Sequence, residues 1–387
     1  GAGQAQALDR LQEDTPNLLA ALAAAREFND RQAELKLVAS LGRFWFDAGY
    51  VSGGLREFRD TLGAAEDDPT PDLAKAAEEI AQLYAWNGSL ELAEQFAAKQ
   101  ESIATAIGTD EVLRRVWATK GVLAFARGDY ARSIECFRAM LPMIEAVKSE
   151  SLPFVHASLA FLHLWSGDTP TADDHYAQSL AWAKDFDIDE GDAIVGDYGG
   201  WRAFYSGRHE EAVEQWSAAE AVYTDLKQRT WVVDMQQLRS WARLIGGDAD
   251  QDVIRATTAE ARKLGLMAFV ARGEMLEAVV LVDQGSRDAG AALSGALETA
   301  AKSGNRVWVF WCLWYGARLV ASQGRIADAR RVRARAESIR RAIPLALPTA
   351  LEAADVELVT SFGGRGSDLG DTAAEMQVLD LSSLIAQ

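Results

Sequence analysis

Apolar residues recur at three- and four-residue intervals along almost the whole chain, the spacing of one buried helix face. The third of several such blocks shows it best. Leu113 to Arg127 reads as one helix, Gly128-Asp129 as a turn, and Tyr130 to Val147 as a second helix. Glycine after a helix supplies the left-handed backbone that ends it, and an aspartate behind the glycine suits the cap of the next helix. Asp129 and Asp168 both stand there. No segment reads convincingly as a strand, so the pattern predicts an all-α protein.

The turn glycine returns at a fixed interval. Gly49, Gly88, Gly128, Gly167, Gly207, Gly247, Gly285 and Gly324 are separated by 39, 40, 39, 40, 40, 38 and 39 residues. Seven positions before them stand Gly42, Ala81, Gly121, Ala160, Gly200, Ser240, Ala278 and Ala317, all small. Five positions after them stand Gly54, Ala93, Ser133, Ala172, Ala212, Asp252, Gly290 and Ala329, small except for Asp252. Small residues at both places let the two helices of a hairpin cross closely. Nine positions after the glycine, Phe58, Phe137, Tyr176 and Trp216 are large enough to fill the space between hairpins.

Small residue, turn glycine, small residue and aromatic at these offsets resemble the tetratricopeptide (TPR) pattern across roughly residues 34–341. The period departs from the family's 34 residues, and the regular closing proline is missing; longer helices account for the extra residues. A HEAT-type array has a similar period without demanding the paired small residues. The expectation is therefore an all-α, right-handed α-solenoid of about eight TPR-like repeats. Residues 1–33 form an N-terminal capping helix (spanning residues 5–28), residues 34–343 the superhelix, and residues 344–387 the C-terminal caps. These caps comprise a helix over residues 345–362, a loop from Phe362 to Ser367, and a short amphipathic tail from Thr372 to Ile385 that covers the last apolar face. Terminal repeats need such shielding.

Composition narrows the function classes. The 387 residues are 49% hydrophobic, ample for a continuous core, and no run of 18 apolar residues suggests a membrane helix. No signal-peptide pattern opens the chain, and the lack of an initiator Met points to a piece of a longer protein. Two distant cysteines, Cys136 and Cys312, make no disulfide framework, so a cytoplasmic location is expected. A net charge of −18 argues against direct nucleic-acid binding.

The first 62 residues carry a further resemblance. Glu13, Asn17-Leu18, Ala20-Ala21-Leu22, Leu37, Leu41, Phe44-Trp45, Gly49 and Gly53-Gly54-Leu55 are similar to the region that follows the nucleotide-binding module in bacterial STAND-type signal-transduction ATPases. These include LuxR-type and antibiotic-regulatory activators and the maltotriose-responsive activator. The resemblance implies a non-enzymatic sensor that binds an effector or protein partner and relays the event to an ATPase module. That module is not in this chain: no Gly-Lys dipeptide occurs, so there is no P-loop, and no helix-turn-helix segment with a basic recognition helix is found. No cofactor is expected. The alternative is a free-standing scaffold that binds a peptide or partner segment.

In TPR superhelices the first helix of each pair lines the concave face. Counting back 13, 10, 6, 3 and 2 positions from the turn glycines nominates groove residues. The fourth unit gives Phe154, Phe161 and Trp165, and the fifth Asp197, Trp201, Phe204 and Tyr205. The sixth gives Asp234, Gln237 and Trp241, the seventh Arg272 and Met275, and the eighth Trp311, Trp314 and Arg318. Aromatic faces with a few carboxylates and arginines between them suit sugars, apolar effectors or peptide side chains. The patch from Phe161 to Trp241 is the expected site. Trp308, Trp311 and Trp314, spaced by three, fit simple core packing equally well.

Other signals carry no catalytic reading. His156 and His163 share a helix face two turns apart, too far for one zinc, and read as structural. Asp185, Asp187, Asp189, Glu190 and Asp192 lack the register of a calcium loop and read as a solvated connection. Seven arginines between Arg325 and Arg341 read as a solvated face paired with acidic neighbours. No metal site and no nucleophile–base constellation is expected.

Overall fold

The computed structural model describes residues 4–63, 69–188, 190–361 and 378–386. All regular structure among them is helical. Eight hairpins follow one another: α3 (Arg31–Asp47) with α4 (Val51–Gly63), α5 (Pro71–Asn87) with α6 (Leu90–Ile107), α7 (Asp110–Ala126) with α8 (Tyr130–Ala146), and α9 (Leu152–Trp165) with α10 (Thr169–Asp185). Then come α11 (Gly191–Tyr205) with α12 (His209–Asp225), α13 (Arg229–Ile245) with α14 (Gln251–Leu264), α15 (Met267–Asp283) with α16 (Ala289–Lys302), and α17 (Arg306–Ser322) with α18 (Ile326–Ala342). The array is preceded by α1 (Gln4–Glu13) and α2 (Thr15–Glu27), and followed by α19 (Thr349–Ser361) and α20 (Val378–Ala386).

All eight turn glycines adopt positive φ, from 62° at Gly285 to 87° at Gly167. The small positions meet as their spacing predicts. Ser133 donates its hydroxyl to the Gly121 carbonyl at 2.9 Å, joining the two small positions of one hairpin. A Cβ at Gly121 would stand 3.0 Å from the Phe137 ring, and one at Gly200 would run into the Trp216 indole. The small residue before the turn thus makes room for the large one after it. Asp252 breaks the pattern because α14 starts four residues after Gly247, whereas most second helices start two after their glycine. Asp252 is consequently exposed, and Ile254 is buried instead.

Three terminal features differ from expectation. The single N-terminal helix is two, with Asp14 between α1 and α2 and Pro16 in the first turn of the second, where a missing N–H costs nothing. The helix after the array begins at Thr349, not at residue 345, because Pro344 and Pro348 precede it. The tail helix packs mainly on α16 of the seventh hairpin and only partly on α17 of the last, with Ile385 buried over Gly290 and Gly316 and the Ser382 hydroxyl bonded to that of Ser294. The predicted loop from Phe362 to Ser367 and the start of the tail, residues 372–377, lie outside the described residues.

Periodicity does not disclose that the superhelix closes on itself. The turn end of unit n meets the leading end of unit n + 5. Thr230 at the start of α13 donates to the Phe46 carbonyl. Asn87 donates to the Gly265 carbonyl at 2.9 Å, and the Arg306 amide to the Arg127 carbonyl at 3.1 Å. The Ala346 amide reaches the Trp165 carbonyl at 2.8 Å, and the Thr349 hydroxyl that of Tyr205 at 2.9 Å. The glycine turns fit this contact closely: a Cβ at Gly128 would lie 2.7 Å from Val307. Those carbonyls end their helices and need partners from elsewhere; the second turn of the superhelix supplies them.

Candidate functional site

Closure converts the open groove of a solenoid into a cavity of about 350 Å³ between the two turns. Units one to five present the C-terminal halves of their first helices. These carry Arg43 and Phe46, Gln82 and Trp86, Val122 and Phe125, Phe161 and Trp165, then Asp197, Trp201 and Tyr205. Units six to eight present mainly the opposite ends: Trp231 and Asp234, Phe269 and Arg272, Trp308 and Trp311. The change of end follows from the n to n + 5 contact, since turn ends on one side face leading ends on the other. Trp241 is the exception, reaching in from the far half of α13.

Ten of the nominated residues therefore line one cavity: Phe154, Phe161, Trp165, Asp197, Trp201, Tyr205, Asp234, Trp241, Arg272 and Trp311. Trp314 and Arg318 do not. Trp314 is fully buried and donates its indole N–H to Asp355 at 2.9 Å, with the Arg318 guanidinium 4.9 Å from its ring centre. Phe204, Gln237 and Met275 are likewise buried outside the cavity lining. The expectation for the eighth unit fails at −10 and −6 because only the leading end of α17 faces the cavity. The same count applied to the first three units, at −6 and −3 or −2, finds Arg43, Phe46, Gln82, Trp86, Val122 and Phe125. The signal for them was present and needed only to be followed to the start of the array. Glu79, Glu190, Gln228 and Asn305, also in the lining, sit off those offsets and carry no periodic mark.

Seven of the twelve tryptophans line this space; five of them are joined by ring contacts, and Trp86 and Trp231 form a separate pair. Trp165 meets Trp201 edge-on at 5.2 Å, Trp201 meets Trp241 at 6.4 Å, and Trp241 meets Trp311 at 5.2 Å. Such pairs hold each ring in one orientation. Trp241 also has a structural duty: it is almost fully buried, and its N–H donates to the Tyr315 hydroxyl at 3.3 Å.

Among the charged residues of the lining, carboxylates outnumber guanidiniums four to two. Arg272, 3% exposed, donates to Asp234 at 2.6 Å and Gln237 at 2.9 Å, with its guanidinium 4.8 Å from the Phe269 ring. Arg43 pairs with the buried Asp47 at 2.7 Å. Both arginines are thus matched. Asp197, 8% exposed, has a carboxylate oxygen that meets no hydrogen-bond partner. Burial, then the charge of Asp234, push its carboxyl well above the ordinary range. Burial and the neighbouring Glu78 push Glu79 up to about 8. Glu190, read from the sequence as part of a solvated connection, is buried here and accepts from Gln228. Its neighbours Asp185, Asp187 and Asp192 are exposed, while Asp189 lies outside the described residues.

The histidines gather away from this lining. His156 and His163 both reach His175, the first by a 3.0 Å contact between Nδ1 atoms and the second by ring stacking at 5.7 Å. Arg138 donates to His163 Nε2 at 3.1 Å. Burial lowers all three, His175 to about 4, so each is neutral at pH 7. No group of three metal-binding side chains is poised around a common point among the described residues. Nor is any helix among them long and apolar enough to cross a membrane.

No protein-family model matches the chain. No curated protein matches it. Solved structures do. A Rap protein in complex with competence and sporulation factor is 12% identical, over 90% of this chain and 99% of its own, with a TM-score of 0.56. A STAND protein with a tetratricopeptide repeat sensor from Pyrococcus horikoshii is 14% identical, over 77% of this chain and 47% of its own, with a TM-score of 0.44. The apo form of the quorum sensor NprR from B. thuringiensis is 12% identical, over 85% and 99%, with a TM-score of 0.46. The chain has a TPR-like α-solenoid fold.

Proposed function

We propose that this chain is a non-enzymatic sensing module of a bacterial transcriptional regulator, taking an effector with an apolar body into the cavity between its superhelical turns. One observation carries the reading: the cavity wall is built jointly by units on both turns, so a guest touches both at once. A guest that prefers one spacing of the turns shifts the population of axial contacts such as Asn87 to Gly265 and Arg127 to Arg306. Repeats joined only to their neighbours are compliant enough to pass that shift along the array. An ATPase module outside this chain would receive it, as the likeness of the first 62 residues to STAND regulators suggests.

The second reading is a scaffold that holds a peptide or partner segment in the same space. It is favoured by the Rap protein of like fold, whose structure holds competence and sporulation factor.

The test uses the neutral fluorophore N-phenyl-1-naphthylamine and a variant that fills the cavity. Ser158 lines the space, and its hydroxyl bonds only within its own helix, to Phe154. Wild type is expected to bind the fluorophore at one saturable site with quenching of tryptophan emission. Ser158→Trp should abolish this while keeping the helical circular dichroism. Undiminished binding in the filled variant, or no saturable binding in the wild type, overturns the assignment.

A further inference from the structure

The cavity's polar groups do not balance, and the imbalance has one sign. Four carboxylates, Glu79, Glu190, Asp197 and Asp234, face two guanidiniums, Arg43 and Arg272. Asp234 already holds Arg272, and Arg43 is held by Asp47 from behind the lining. Glu190 has Gln228. Asp197 keeps an oxygen without a partner although it is more than nine-tenths buried. Buried acceptors are ordinarily satisfied, and Asp197, a residue of the cavity wall, has one that is not. Aromatic rings share the lining with it, among them Trp201 one turn along the same helix, Tyr223 on α12 and Trp231 on α13. Aromatic faces around a carboxylate attract a desolvated cation through the ring quadrupole.

Resting on the sensing reading above, we infer that the guest is a small organic cation: a protonated or quaternary amine on an aromatic or apolar body, its charge beside Asp197 in a lining that also carries Glu79. An anionic guest would find both arginines of the lining already paired. A sugar carries a hydroxyl on nearly every carbon, and a wall built largely of rings leaves most of those without partners.

Four probes with one naphthalene body separate these cases by tryptophan quenching: (2-naphthylmethyl)trimethylammonium, its neutral isostere 2-neopentylnaphthalene, 2-naphthylacetate and 2-naphthyl β-glucoside. The ammonium should bind at least tenfold more tightly than the isostere, with the acetate weakest. Asp197→Asn combined with Glu79→Gln should reduce that preference below threefold without weakening the isostere. The single variants, each isosteric, serve if the pair folds poorly; thermal midpoints check folding. Equal binding of ammonium and isostere overturns the inference while the cavity reading stands. A preference for the acetate or the glucoside, or an ammonium preference that survives the variants, also overturns it. Failure of all four probes in the wild type removes both.

Discussion

Two buried arginines, Arg272 and Arg333, look alike one at a time and differ in their surroundings. Both are 3% exposed. Arg333 holds Asp355 with two parallel hydrogen bonds, 2.7 and 2.6 Å, and Glu337 with a third at 3.1 Å. Asp355 accepts a further bond from Trp314, and Glu337 is shared with Arg340 and Arg341. Both carboxylates there have guanidinium partners, and the result fastens α19 to α17 and α18. Arg272 also has its carboxylate, Asp234, but the cluster continues into Asp197, which has no cation of its own. A network with all members matched is a fastening; a network with one acceptor left over beside a cavity is a place for something else.

The comparison can be strained at several points. Arg333→Met should have the largest effect, because it strands Asp355 without a cation and takes one of three from Glu337. A loss of about 3–5 kcal/mol in urea unfolding is expected, with α19 becoming sensitive to protease. A change below 1 kcal/mol would mean that the network fastens nothing. Acid should attack the same place next. Burial would raise Glu337, but Arg340 and Arg333 outweigh it and hold the carboxyl at about 2 against an ordinary 4.5. Its contribution is therefore complete above pH 4.5 and is lost as the pH falls toward 2. The upper bound is about 3 kcal/mol, measured as the difference in acid unfolding between wild type and Glu337→Gln.

Arg272→Met should cost less, about 1–3 kcal/mol, because Asp234 lines a cavity and can take up water or a proton. A cost equal to that of Arg333→Met would erase the distinction. The smallest effect belongs to Asp197→Asn, expected to leave the thermal midpoint unchanged or to raise it, since burial already disfavours the charge it removes. A clear fall in midpoint would show that Asp197 fastens the fold after all.

Much of the solenoid was legible because its physics is local. A turn glycine, a small residue seven before it and another five after it are demands of one hairpin on itself, and the chain repeats them eight times. The arginine-rich helix was legible too: its charges pair with Asp328 and Glu337 three or four residues away. Asp355 was not, being 22 residues distant on another helix. The groove count names cavity-lining residues at the glycine ends of the fourth and fifth units and, 13 positions before the glycine, at the leading ends of the sixth to eighth. It missed in the eighth unit, where Trp314 and Arg318 turn toward α19 and the helix end. Glu190 and Gln228 were missed because neither stands on a periodic face.

The sequence by itself determined the hairpin, its length and its repetition, since backbone handedness and helix crossing are settled within about 40 residues. It also determined that aromatic side chains collect along the first helices. Tertiary structure decided that unit n meets unit n + 5, and with it that the groove is a cavity. That contact joins residues 178 to 184 positions apart. It depends on the small rotation between neighbouring hairpins summed over a whole turn, and no single position in the repeat encodes a sum.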